Sequence, residues 1–288
     1  MALPVLNYFI FCIIFILLSW AVYLPYRCGQ LYLAPIYCMC AGAYFGAYAV
    51  TAWDWPVALA ILASTFVGAL FAFFPAIGLR KAPGFATAIA SMALIFILQT
   101  VIMNLKFVGG SAGYFGIPPM DYPLITSLTV LVIAGIIIYR VDHSRLGRAA
   151  ELLFYGREEV GCFGVNIAWV GMILQVLSGG LSGAAGALFA FTVGSVFPAA
   201  FGFSFLLIIF PIVFIGGNFT MWGAVFFAPI LWGIPLILPE AIAEWKDVIF
   251  GTLLICILIF RPEGVVSKQV VRSIGIGIQL LVRINKEH

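Results

Sequence analysis

The stretch IAWVGMILQVLSGGLSGAAGALFAFT, residues 167–192, carries no charged side chain and is built around the run Ser178-Gly179-Gly180-Leu181-Ser182-Gly183-Ala184-Ala185-Gly186. About 20 largely apolar residues suffice to cross a bilayer as a helix, and this stretch exceeds that length. The small residues allow two arrangements. A neighbouring helix can approach backbone to backbone along them, or the helix can be broken where it lines a cavity. Close packing is the expectation, with Gly179, Gly183 and Gly186 as the contact positions.

Eight more stretches of comparable character lie near 5–24, 31–51, 56–78, 85–105, 122–140, 202–217, 221–238 and 247–261. Together they predict an all-α, polytopic transmembrane helical bundle of about nine spans. The second carries Pro35, and the seventh is short and carries Pro211, so both also admit a break. The run from Val5 to Leu24 reads as a first span, since no basic segment precedes it and no small-residue cleavage site follows. Composition agrees: 64% of the 288 residues are apolar and 9% charged, against roughly 45–50% and about 25% in soluble chains. Residues 1–264 are expected to form one transmembrane domain in the lipid bilayer, with 265–288 as a cytoplasmic tail.

Orientation follows from the basic residues, because Lys and Arg in short loops stay on the cytoplasmic side. With nine spans and an external N-terminus, Arg27, Arg80, Lys81, Arg140, Arg145, Arg148 and Arg157 fall in inner loops, and five more fall in the tail. Only Lys106 and Lys246 lie outside. A cysteine at Ser144, in a chain cleared of native cysteines, is therefore expected to react with membrane-impermeant reagents from the cytoplasmic side only. Labelling from outside in intact cells would reverse the orientation.

Several function classes are excluded by what the spans lack. Proton-coupled carriers usually hold carboxylates within their spans; here all acids sit in loops, at span ends or in the tail. No G-x-x-x-x-G-K-S/T loop is present to cradle a nucleotide, so active transport would draw its energy from another subunit. A membrane-embedded enzyme lacks candidates: His143 is in a loop, His288 is the last residue, and no span holds a paired-acid or Ser/His/Asp set. The six cysteines lack metal-ligand spacing and read as packing residues. The net charge of +3 is spread over loops and tail and implies no nucleic acid partner. Neither a metal nor a cofactor is expected.

The polar groups inside the spans are neutral, among them Ser91, Gln99, Thr87 and Gln175. Most are expected to be interhelical hydrogen-bond partners. A minority can line a path for a small polar or zwitterionic solute, and Gln30, Ser91 and Gln99 are the candidates. The cytoplasmic loop from Val141 to Asn166 predicts a short helix capped by Ser144, with Arg148 and Glu151 exposed and Leu152 and Leu153 against the membrane domain. Such a loop is either a solvated surface or a docking element for a partner.

These residues resemble the permease subunits of branched-chain amino acid ABC importers, particularly the LivM type, whose relatives include urea and short-chain amide permeases. The match runs in register from about Gly29 to Gly264. Gly29-Gln30-Leu31 followed by Gly42-Ala43-Tyr44 is similar to the family's G-Q-L-S-L-G-H-x-x-F-x-x-x-G-A-Y. Gly109-Gly110, Gly113 and Gly116-Ile117-Pro118 resemble its external loop. Ser144, Gly147-Arg148-Ala149 and Gly164-Val165-Asn166 keep the spacing of its coupling segment, and Arg261-Pro262-x-Gly264 closes the match. Pro35 stands where the family usually has histidine, and Glu151-Leu152-Leu153-Phe154-Tyr155 replaces R-A-I-R-E.

The resemblance implies an ABC importer permease fold in a bacterial inner membrane, forming half of a translocation path for branched-chain or related amino acids. It implies a second permease subunit, two cytoplasmic ATPase subunits that use the ATP, and an external or periplasmic solute-binding protein. Ser144, Gly147, Arg148, Arg157, Gly164 and Asn166 would form the coupling segment within 144–166, with Gly147 admitting a partner backbone. No residue would perform covalent chemistry. The alternative is a channel or facilitator for a small neutral solute such as urea or an amide, which would have no ATPase partner.

Overall fold

The computed structural model describes residues 2–80, 82, 84–155, 166–216 and 221–237, together with positions 248, 251, 252, 255, 256 and 259. Its helices are α1 (Ala2–Tyr26), α2 (Pro35–Trp53), α3 (Val57–Leu79), α4 (Gly84–Asn104), α5 (Pro123–His143), α6 (Arg145–Tyr155), α7 (Ile167–Val193), α8 (Phe203–Gly216) and α9 (Met221–Ile237). A two-residue ribbon pairs Tyr114–Phe115 antiparallel with Ser195–Val196. The chain is an all-α polytopic membrane protein.

Lipid solvates apolar side chains as well as a neighbouring helix does, so helices in a bilayer associate through close packing and hydrogen bonds rather than through the hydrophobic effect. The small-residue stretch makes α7 the centre on that basis. Of its most apolar window 78% is buried, against 28% for α3, 33% for α4 and 17% for α5, so α7 is enclosed while those three present wide faces outward. Phe66 and Phe74 on α3, Phe85 and Ile97 on α4, and Ile125 and Ile136 on α5 are exposed apolar side chains that suit lipid.

The enclosing helices α2 and α3 bring glycines of their own. A Cβ on Gly42 would strike the Gly183 backbone, one on Gly68 would strike Gly179 and Gly183, and one on Gly186 would strike the Met39 carbonyl. The run therefore permits backbone contact along an unbroken helix, and α7 is continuous from Ile167 to Val193. α1 lies against α7, and Ser178 Oγ donates to the Ala21 carbonyl across that contact at 2.5 Å. An aromatic cluster joins α1 to α9, with Phe11 and Phe15 against Trp232 at ring separations of 5.3 and 4.6 Å. Trp20 Nε1 donates to the Met221 carbonyl at 2.8 Å.

Nine spans were expected, and among the described residues six helical segments are long and apolar enough to cross a membrane: α1 from Val5, α3, α4, α5, α7, and α8 together with the short helical turn that precedes it from Pro198. The second expected span is a 19-residue helix, but its Gly, Ala and Tyr content lowers its hydropathy and it is buried nearly all round. It also starts later than the apolar run suggests, because Pro35 occupies a first-turn position and residues 30–33 lie outside any helix. The eighth is the shorter helix α9. The ninth, 247–261, falls largely outside the described residues, as does the expected tail. α8 passes through Pro211 without interruption.

Candidate coupling site and translocation path

α5 ends at His143, and Ser144 turns the chain into α6 in an extended conformation. Its Oγ accepts from the backbone N–H of Leu146 at 3.1 Å and of Gly147 at 3.4 Å, and it donates to the Val141 carbonyl at 2.7 Å. One hydroxyl thus caps the new helix and binds it to the end of the old one. α6 is amphipathic: Leu146, Ala149, Ala150 and Leu153, at the spacing of a single helix face, turn inward. Arg145, Arg148 and Leu152 turn outward.

Two expectations about this helix need correction. Leu152 is 54% exposed and does not pack with Leu153, which is 3% exposed; adjacent helical residues are turned about 100° apart, and the stripe through 146, 149, 150 and 153 excludes position 152. Gly147 is buried, and a Cβ there would lie 2.5 Å from the carbonyls of Val141 and Asp142. It is needed for the α5–α6 turn itself, so a partner's backbone does not reach it. Arg148 is exposed and its Nη1 donates to the His143 carbonyl at 3.1 Å, satisfying the C-terminus of α5. Asn166 caps α7, accepting from the Trp169 N–H at 3.3 Å. Arg157 and Gly164 lie outside the described residues.

The sequence offered no sign of the main tie between α6 and the bundle. Arg27, 6% exposed, follows the last residue of α1. Its guanidinium pairs with the Asp142 carboxylate on α5 and lies 3.6 Å from the Glu151 carboxylate on α6. Tyr23 donates to the other Asp142 oxygen at 3.2 Å, and its ring lies under the guanidinium at 5.7 Å. From the sequence Arg27 is only an orientation signal, Asp142 only an acid outside the spans, and Glu151 an exposed residue of the short helix, whereas the Glu151 side chain is 35% exposed and turned to Arg27. Arg27 lies 115 residues from Asp142 and farther still from Glu151, which leaves no local pattern to connect it to them.

The three candidate path residues are all engaged with protein atoms. Gln30, 2% exposed, accepts at Oε1 from Gln175 Nε2 at 2.7 Å. Ser91 accepts from the Leu33 N–H at 3.0 Å and donates to the Ala88 carbonyl at 2.9 Å. Gln99 Nε2 donates to the carbonyls of Pro198 and Phe201 at 3.1 and 2.9 Å. Ser91 and Gln99 are two turns of helix apart, about 12 Å, so the three do not form one cluster. Each supplies a hydrogen bond to backbone or amide groups that would otherwise be buried unpaired. Thr87, Gln175, Ser178 and Ser182 are buried as well. Among the described residues no group of His, Cys, Asp or Glu is placed to hold a metal ion.

A buried, small-residue helix sheathed by spans, with an amphipathic helix pinned at one end, defines a polytopic helical membrane protein. The chain belongs to the family of branched-chain amino acid transport system permease components, whose family model matches residues 5–258. It is 29% identical over 160 residues to the high-affinity branched-chain amino acid transport system permease protein LivM of Escherichia coli, and 28% identical over 160 residues to LivM of Salmonella typhimurium; each alignment covers 53% of this chain and 37% of the relative. It is 28% identical over 157 residues to the permease protein BraD of Pseudomonas aeruginosa, covering 52% of this chain and 49% of the relative. The chain thus matches less than half the length of these curated relatives. No solved structure matches it significantly.

Proposed function

We propose that this chain is the membrane-spanning permease subunit of an ABC importer in a bacterial inner membrane. It forms half of a translocation path for branched-chain or related amino acids. It pairs with a second permease subunit, receives solute from an external solute-binding protein, and is driven by two cytoplasmic ATPase subunits that use the ATP. Its own residues carry out no covalent step. Closure of the ATPase dimer moves α6, and the membrane subunits rock between inward-open and outward-open states.

One observation carries this reading: α6 is folded, outward-facing and fastened to the bundle. A force applied to a loose loop is dissipated in the loop, whereas a capped helix with a buried apolar stripe and an ion-paired flank passes displacement to the spans. Its outer face, with Arg145, Arg148 and Leu152, offers two charges and an apolar anchor to a partner. Gly147 and Asn166 maintain the geometry of the segment from within. Gln30, Ser91 and Gln99 are retained near the path as groups that hold its walls.

The test is the double variant Arg148→Glu with Leu152→Asp. It is expected to insert normally and to lose most ATPase copurification and at least tenfold in solute uptake, since truncating or reversing interface anchors typically costs about 2 kcal/mol or more. Full ATPase association in this variant would remove α6 as the docking surface. A wild-type protein that purifies as a homo-oligomer without any ATPase would instead favour the channel reading.

A further inference from the structure

We propose that the non-helical segment from Arg27 to Ala34 is the transmission element of this permease, and that the Arg27–Glu151 ion pair is its grip on the coupling helix α6. The inference rests on the permease reading above and assigns the internal route by which movement of α6 reaches the buried core.

The segment begins with a tight turn. Arg27 N–H donates to the Tyr23 carbonyl, Cys28 N–H to Pro25 at 3.0 Å and Gly29 N–H to Tyr26 at 2.8 Å. Gly29 has φ +68°, a left-handed conformation in which a side chain is strained. From this turn the segment reaches separate helices in succession. Arg27 holds Asp142 on α5 and Glu151 on α6. Gly29 sits against Phe154 of α6, where an added Cβ would lie 3.7 Å from the Phe154 Cα, and its carbonyl faces Gly84 at the start of α4. Gln30 bonds to Gln175 and lies over Gly171, both on α7. The Leu33 N–H is held by Ser91 of α4. Pro35 then opens α2, the helix whose Gly42 meets Gly183.

A displacement of α6 therefore acts through Arg27 and Gly29 on a short piece of chain that is bonded to α4 and α7 and continues into α2. Helices resist internal bending because each turn is hydrogen-bonded to the next, so motion between them concentrates where that ladder is interrupted. Residues 30–33 are such an interruption: the Gln30 N–H donates to the Pro25 carbonyl in the turn and the Leu33 N–H to Ser91 Oγ, outside any helical ladder. Arg27 Nε is buried and unpartnered among the described residues. This spare donor leaves the guanidinium able to exchange partners as the carboxylates shift. Arg27 and Glu151 act here as positioning residues and contact no solute.

Glu151 separates transmission from folding, because its side chain is about a third exposed while Asp142 and Arg27 remain paired without it. In the reconstituted complex of permease, ATPase and binding protein, Glu151→Lys and Glu151→Gln are expected to keep wild-type ATPase copurification while uptake per ATP hydrolysed falls about tenfold, within the usual range of coupling between sites. Glu151→Asp should recover part of the ratio. An unchanged ratio in Glu151→Lys overturns the proposal, as does loss of ATPase binding in that variant, which would make Glu151 a docking residue. Should the wild-type chain copurify no ATPase at all, the permease reading fails first and this inference with it.

Discussion

Gly183→Leu is expected to lower the thermal stability of the detergent-solubilised protein sharply, and to abolish uptake. The reason is the geometry on both sides of the helix. A Cβ at position 183 would meet the Ser64 carbonyl and the Gly68 Cα, while on the opposite face the Gly183 backbone already lies against Gly42. No side-chain rotation relieves a collision with backbone. Overpacking a well-filled core costs about 1–3 kcal/mol when neighbours can give way, and here α2 or α3 must move bodily. Gly186→Leu, aimed at the Met39 carbonyl, should behave the same way. Gly180→Ala is the control: it lies in the same run, but its nearest neighbour would be 3.5 Å away, ordinary contact. It should be neutral or slightly stabilising, since Ala favours a helix over Gly by about 1 kcal/mol. Fluorescence-detected unfolding of the three variants would decide; a wild-type transition in Gly183→Leu would mean that the approach is looser than this packing requires.

The second large effect is expected at Arg27. Arg27→Met should destabilise the protein by about 3–5 kcal/mol, the usual result of removing one partner from a buried ion pair and leaving the other unpaired. Asp142 is the stranded group: its side chain is 15% exposed, and among the described residues Tyr23 remains hydrogen-bonded to it. Arg27→Met combined with Asp142→Leu should regain most of the loss, because a buried pair replaced by apolar groups of similar volume is often neutral. A double-mutant cycle on unfolding separates pair energy from volume effects. Additive losses in the double variant would show that Arg27 stabilises through packing of its aliphatic stem and not through Asp142. The rescued double variant should still transport poorly, because its link to Glu151 is absent.

Much of this molecule is legible in its sequence because a bilayer makes strong local demands. Backbone polar groups in lipid must be satisfied within the segment, so apolar length alone reports spans. The expected apolar stretches at 5–24, 56–78, 85–105, 122–140, 167–192 and 202–217 correspond to helices long enough to cross. Ser144 as a helix cap was equally readable, since a cap depends on neighbours two and three residues away. Residues 156–165 of the coupling segment and most of the last expected span are not among the described residues.

What local pattern cannot report is rotation and partnership. Leu152 and Leu153 have the same chemistry, and only the stripe that α6 lays on the bundle exposes one and buries the other. Gln30, Ser91 and Gln99 read as polar groups in need of either a partner or a cavity; the order of helices supplied Gln175, the Leu33 N–H and the Pro198 and Phe201 carbonyls as partners. Gly147 read as an opening for another protein, and the turn behind it required the space. The sequence by itself determined that this chain is a membrane bundle with a small-residue helix and a basic, capped surface helix, because those properties follow from length, composition and short-range spacing. The tertiary structure alone decided that Arg27 joins α1 to α5 and α6, because an ion pair between residues 115 apart exists only once the helices have been placed side by side.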